Sequence, residues 1–163
     1  MKLTEIERLE DQLRRSFEGE AWHGPSVLEV LAGVSAAQAY AHPVAGAHSI
    51  WELVLHLIGT YNLVSRRLKG EAARLTPSED WPAVPEPTTS NWEETIRSLR
   101  QGNEQLRQAI LRLSLAQLDG PLVAEPPYTA YVQLIGITQH DLYHAGQIAI
   151  LKKALASTDS RSG

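Results

Sequence analysis

The 163-residue sequence contains no cysteine. Its fold therefore uses no disulfide, and any metal it binds must sit on His, Asp or Glu. If its chemistry calls for a thiol, the thiol comes from outside the chain. Long apolar runs are missing too. No stretch approaches about eighteen consecutive apolar residues, so nothing reads as a membrane span. Basic charge is not in excess: Lys and Arg number 15 against 19 Asp and Glu, a formal net charge of -4. The basic residues fall in pairs (Arg14-Arg15, Arg66-Arg67, Lys152-Lys153) and form no patch, which argues against nucleic-acid binding. The N-terminal Met1-Lys2-Leu3-Thr4-Glu5 is charged and lacks an apolar signal region, so a cytoplasmic protein is expected. With 43% apolar and 21% charged residues, the chain suits a single soluble domain able to bury a real core.

No convincing strand pattern is present, and the periodicity is helical almost throughout. Ile6, Leu9, Leu13 and Phe17 recur at three- and four-residue steps, one apolar face of a helix over about residues 4–17. Pro25 stands near the start of a short helix through Val30 and Leu31, and Ser35 is placed to cap one more turn. A second long helix begins at Ser49, where Ser49-Ile50-Trp51-Glu52 reads as a capping box, and runs to about Lys69 with Gly70 at its end. Residues 75–90 hold Pro77, Pro82, Pro85 and Pro87 and read as a long surface loop, a kind of loop that is often functional. A third long helix is expected from about Asn91, with Glu93 and Glu94 in the first turn, where the dipole favours acids. Its apolar face is Trp92, Ile96, Leu99, Leu106, Ile110 and Leu113. Gly120-Pro121 and Pro126-Pro127 bound an irregular stretch. The fourth long helix spans about Thr129 to Leu155. The expected architecture is all-α, a four-helix bundle over residues 1–156 with a short extra helix and long crossover loops, followed by a disordered tail, 157–163.

Chemistry concentrates in Gln139-His140-Asp141-Leu142-Tyr143-His144-Ala145-Gly146-Gln147. His140 and His144 are four apart, so both imidazoles leave one helix face a turn apart and can reach one ion at about 2.0–2.1 Å. His56 lies in the second long helix, on a row with Leu53, Thr60 and Leu63. The row through His140 and His144 contains Ile137, Ile148 and Leu151. Both rows are mostly apolar and should face the bundle interior. A single histidine on such a row is commonly a core residue bonded to a carbonyl. Three inward histidines on two helices, with no obvious internal acid to pair them, point to a metal held by His56, His140 and His144. Three ligands leave coordination positions open, the mark of a reactive site. Gly59, Thr60, Gly136, Ala145 and Gly146 lie near the histidines. A helix-interior glycine costs roughly 1 kcal/mol against alanine, so these glycines mark needed space or close helix approach.

The run His140-Asp141-Leu142-Tyr143-His144 also resembles the zinc-protease pattern H-E-x-x-H, with aspartate where the general-base glutamate stands. Aspartate is one methylene shorter, and no His, Glu or Asp follows His144 until Asp159, so the usual third ligand is missing. Asp141 reads instead as a surface group or as a partner that orients an imidazole.

The chain resembles the DinB/YfiT-like family of metal-dependent bundle proteins over about residues 4–155. The resemblance rests on His56 within Ser49-Ile50-Trp51-Glu52-Leu53-Val54-Leu55-His56, and on the His140-x-x-x-His144 pair followed by Gly146-Gln147-Ile148. It implies an up-down-down-up bundle with a long crossover, a divalent metal (zinc or nickel first) on the three histidines, and often a homodimer. Some relatives are transferases or isomerases that use low-molecular-weight thiols; many have no known reaction. The family name refers to DNA damage induction and is no evidence for DNA binding.

Two functions from different classes follow. One is a metal-dependent enzyme acting on a small molecule, a thiol S-transferase, isomerase or hydrolase in which the ion activates a thiol or water. The other is a non-catalytic, stress-associated metal-binding protein in which the ion staples helices together. Tyr61, Tyr143 and Gln147 are candidate substrate contacts or core-edge groups, and the Trp22-His23 loop could line the pocket. His48 reads as structural or solvent-facing, and His42 as a loop residue. Four tryptophans (Trp22, Trp51, Trp81, Trp92) are many for one bundle and lend support to a homodimer. Trp81, in the proline-rich loop, needs either a partner or its own bundle to cover it.

Overall fold

The computed structural model describes residues 2–122 and 128–159. Four long helices carry the fold: α1 Glu5–Glu18, α4 Ile50–Leu68, α6 Thr89–Leu111 and α8 Ala130–Asp159. Four short ones sit between them: α2 Val27–Leu31, α3 Ala36–Tyr40, α5 Pro77–Asp80 and α7 Leu115–Leu118. Helix starts are set by local chemistry. Thr4/Glu7, Ser26/Glu29, Ser35/Gln38, Ser49/Glu52 and Thr76/Glu79 each form a reciprocal capping box. Each box satisfies two amides that the helix itself leaves without partners.

α4 is the central element, packing on both α6 and α8, while α1 closes the bundle against the same two helices. Side-chain pairings fix direction. Trp51 meets Trp92 and Thr95, and Tyr61 lies against Gly102, so α4 and α6 run parallel. His56 meets His140 and Arg67 meets Gln133, so α8 runs antiparallel to α4. This is the down-down-up part of the expected connectivity, and the parallel α4–α6 pair is what requires the long crossover. Leu13, Ile50, Trp51, Leu57, Tyr61, Leu99, Leu106 and Ile148 are fully buried at its centre. The buried indoles keep partners, as burial requires. Trp51 Nε1 donates to Thr95 Oγ1 (3.0 Å) and Trp92 Nε1 to the Val34 carbonyl (2.8 Å).

Several boundaries differ from expectation. α6 begins at Thr89, capped by Thr88, so Glu93 and Glu94 fall in its second turn. The crossover read as plain loop contains α5, capped by Thr76 with Pro77 in its first turn. α7 is a further short helix that the periodicity does not predict, and Ser114 N–H donates to Gln117 Oε1 at its start (2.8 Å). α8 continues to Asp159, beyond Leu155 and into the span expected to be a tail. Residues 160–163 and the Pro126-Pro127 stretch lie outside the described residues. Among the described residues no helix is long and apolar enough to cross a membrane.

Candidate metal centre

α4 and α8 bring the three expected histidines together. His140 Nε2 lies 2.9 Å from His56 Nε2 and 3.1 Å from His144 Nε2. One nitrogen from each ring falls within 4.8 Å of the others. Neighbouring nitrogen donors on one ion, with bonds of about 2.1 Å, stand roughly 3.0–3.4 Å apart. The spacing therefore fits a shared cation.

The outer ring nitrogens fix the tautomers. His56 Nδ1 faces two acceptors of Asp80, the backbone oxygen at 3.0 Å and Oδ1 at 2.9 Å. It must carry the proton, which leaves a lone pair on Nε2. His144 Nδ1 faces Gln147 Oε1 at 2.7 Å, with the same consequence. Two lone pairs thus point at His140 Nε2, which can donate to only one of them. His140 Nδ1 is buried with no hydrogen-bond partner among the described residues. A cation among the three Nε2 atoms removes the lone-pair conflict. Burial, reinforced by the neighbouring imidazoles, pushes His140 down to about 3, and burial also lowers His144. Both rings are therefore neutral at physiological pH, the form that ligates metal. Among the described residues no fourth His, Asp or Glu joins the group.

The crossover, not the bundle, supplies what surrounds His56. The Trp81 ring stacks on His56 (centroids 4.3 Å apart) and on His48 (3.7 Å), nearly parallel to both. Asp80, a partly exposed residue of the crossover, is the acid partner of His56 that the sequence did not reveal. Gly59 makes this approach possible: a Cβ there would stand 2.7 Å from the Glu79 carbonyl oxygen. Gly136 and Gly146 differ, since a Cβ on either would meet nothing within 4 Å. Of the two explanations for helical glycine, Gly59 is close approach and Gly136 is space.

Asp141 is neither a surface group nor a partner of an imidazole. It is wholly buried, between Tyr61 Oη (2.7 Å from Oδ1) and Ser16 Oγ (3.0 Å from Oδ2). Ser16 Oγ also lies 2.9 Å from the Leu13 carbonyl, which can only accept. The network closes when Asp141 is protonated: Oδ2–H donates to Ser16, Ser16 to Leu13, and Tyr61 to Oδ1. Burial raises this carboxyl to about 7. With both oxygens so engaged, Asp141 cannot serve as a protease-type base. Tyr61 is a core residue, whereas Tyr143 is exposed, its ring edge-on to His144 (5.1 Å).

The remaining candidates separate. Gln147 touches the centre through His144, and His48 through Trp81. His42 is a loop residue whose Nε2 lies 3.0 Å from Glu52 Oε2. Trp22 and His23 line a separate small cavity on the α1 side, and Trp22 is fully exposed. Two larger cavities flank the histidines along the α4–α8 groove. One, of about 430 Å³, has His140 in its wall. The other, of about 290 Å³, is lined by His48, Leu53 and Gln147.

The sequence profile of the DinB superfamily matches residues 21–148. The chain belongs to the DinB superfamily. No curated protein matches it. A conserved protein from Enterococcus faecalis, known from a crystal structure, superposes with a TM-score of 0.73 at 17% identity, covering 96% of this chain and 99% of its own. At that identity the likeness is one of fold. All three histidines of the site fall inside the profile match.

Proposed function

We propose that this DinB-superfamily protein is a divalent-metal-dependent enzyme that binds zinc or nickel on His56, His140 and His144. The observation that carries this reading is the convergence of three Nε2 atoms, two in fixed tautomers, with no fourth protein ligand among the described residues. A structural zinc site ordinarily closes with four protein ligands. Three ligands beside a cavity suit a site that admits substrate. When bound, such an ion lowers the pKa of a thiol or water in its open positions toward neutrality. The chain's own groups hold and shield. Asp80 and Gln147 orient two rings, and the Trp81 indole covers one face of His56. A low-molecular-weight thiol as co-substrate fits a cysteine-free chain and makes thiol transfer or isomerisation the favoured chemistry.

The test is metal analysis of protein purified without exposure to affinity nickel, followed by spectroscopy of the cobalt-substituted form. One ion per chain is expected, with sharp losses of affinity in His56→Ala, His140→Ala and His144→Ala. Added 2-mercaptoethanol should change the cobalt spectrum. A four-ligand spectrum that ignores the thiol would support a non-catalytic metal-binding role instead. Unchanged metal stoichiometry and affinity in His56→Ala would remove His56 from the site.

Pairing of two chains is a proposal carried by family resemblance. The tryptophan argument for it is reduced, because Trp81 is covered by its own chain. Trp22 remains fully exposed. Light scattering at micromolar concentration decides it: a clean mass near 18.0 kDa would exclude the stable dimer.

A further inference from the structure

The cavity beside His140 has the size and lining of a small-molecule site. Its volume of about 430 Å³ lies within the range of roughly 300–1,000 Å³ in which ligand pockets fall. Val64 of α4 and Val132, Ile135 and Ile137 of α8 give it apolar walls. Tyr128 and Tyr131 also line it, each partly exposed, so each can offer a ring face to a ligand and keep its hydroxyl wet. Among the described residues no Asp, Glu, Lys or Arg lines it. Arg67 reaches this wall only through Gln133, to whose Oε1 its Nη1 donates (3.0 Å).

Gly136 shows that the space is kept open. It sits in the interior of α8, where glycine costs roughly 1 kcal/mol against alanine. It lines the cavity, and no atom lies within 4 Å of the place its Cβ would take. Tight packing, the reason for Gly59, does not account for it. A side chain at 136 would occupy the cavity.

We infer that this cavity binds a neutral, predominantly apolar small molecule of one or two aromatic rings, its polar or reactive atom turned to His140, with Gly136 setting the depth. Only the placement of the reactive end rests on the metal-centre reading; the affinity for the apolar body does not.

Binding to the full chain, metal-loaded and metal-free, tests this with 1-naphthol as a neutral fluorescent probe and naphthalene-1-sulfonate as its anionic counterpart. Saturable 1-naphthol binding is expected in both forms; in the metal-free form the sulfonate should be weaker by at least about tenfold, because among the described residues no Lys or Arg lines the cavity to offset the cost of desolvating its charge. Gly136→Leu should weaken 1-naphthol by at least about tenfold while leaving metal stoichiometry and melting temperature undiminished. Val132→Trp, at the half-exposed rim, repeats the blockade in case Gly136→Leu fails to fold. Wild-type affinity in either folded variant, sulfonate binding as tight as naphthol in the metal-free form, or no saturable naphthol binding would each overturn the inference. Failure of the wild type to bind metal would overturn the metal centre and leave the naphthol result to stand or fall separately.

Discussion

Replacing Gly59 by alanine should uncouple the crossover from the metal centre at little cost to the fold. The new methyl would lie 2.7 Å from the Glu79 carbonyl oxygen, where an ordinary contact needs about 3.5 Å. Something must move by roughly 0.8 Å. Alanine gains about 1 kcal/mol over glycine inside a helix, while overpacking a tight contact costs about 1–3 kcal/mol. The yielding partner is α5, four residues long with no buried side chain, so it should shift and spare α4. Net stability is then expected to change by less than about 1 kcal/mol. α5 ends at Asp80 and is followed by Trp81, and both touch His56. Their displacement removes the acceptor that orients the ring. Loss of such a partner typically costs 10–100-fold in metal affinity; about tenfold is expected here. Urea unfolding of the metal-free protein reads the first quantity, and zinc competition against a chelator reads the second. Tryptophan emission, with Trp81→Phe as control, reports the position of Trp81 itself. Wild-type zinc affinity together with unchanged Trp81 emission in Gly59→Ala would refute the coupling.

Asp80→Ala should weaken zinc by about tenfold, towards the mild end of the usual range, because the residue's backbone oxygen stays 3.0 Å from His56 Nδ1; unchanged affinity would show that the carboxylate does not orient the ring. Tyr61→Phe strips Asp141 of a buried donor and should cost about 1–3 kcal/mol. Asp141→Asn can keep every bond, since its amide can donate to Ser16 and accept from Tyr61, so at pH 4 its unfolding free energy should match wild type within about 1 kcal/mol. The Asp141 carboxyl is raised to about 7 from 3.8, so its contribution is fully present below pH 3.8 and is lost as pH rises through 7. Metal-free Asp141→Asn should therefore gain on wild type across that window, by roughly 4 kcal/mol at most; a variant that is less stable than wild type at pH 8 contradicts the protonated network. The histidines act with opposite sign. His140 at about 3 and His144, also lowered, contribute stability that is present above about 6.5 and lost as pH falls. In the Asp141→Asn background, metal-free protein should destabilise on acidification below 6.5, and a flat profile would contradict burial of neutral rings. Bound metal should be released over the same range.

The expectations that held are those set by period and by local capping. Ile6, Leu9, Leu13 and Phe17 are all buried, because a three- and four-residue step is already a face. Ser49 and Glu52 cap α4 as a box because both partners lie within one turn. The i, i+4 pair His140 and His144 needed only one helix to come together. Asp80 and Trp81 reach His56 from twenty-four and twenty-five positions away through a crossover with four prolines, and no period links them. One signal was available: Thr76-Pro77-Ser78-Glu79 has the cap, the first-turn proline and the box acid of a helix start. It reveals α5 but not the contact of α5 with α4. Only Gly59, unexplained by its own helix, hinted that something comes close there.

The position of Asp141 shows why α8 was the hardest element to read. A single inward stripe was expected, with His140 among Ile137 and Ile148. The helix has two. Leu134, Ile137, Asp141, Ala145 and Ile148 are buried and form one row, against the core. Gln133, Gly136, His140 and Gln147 are half-buried and form the other; Gln133, Gly136 and His140 line the larger cavity and Gln147 the smaller. His144 sits between the rows, buried yet in contact with His140. A helix apolar on most of its circumference leaves little moment from which to assign faces. What separates the rows is chemistry: one is aliphatic apart from a carboxyl enclosed by Tyr61 and Ser16, the other is glycine, amide and imidazole. A core gains nothing from glycine and two amides in register with a histidine. The proposed metal site and ligand cavity would need just those groups, so on that reading the second row is where the fold gives up packing for chemistry.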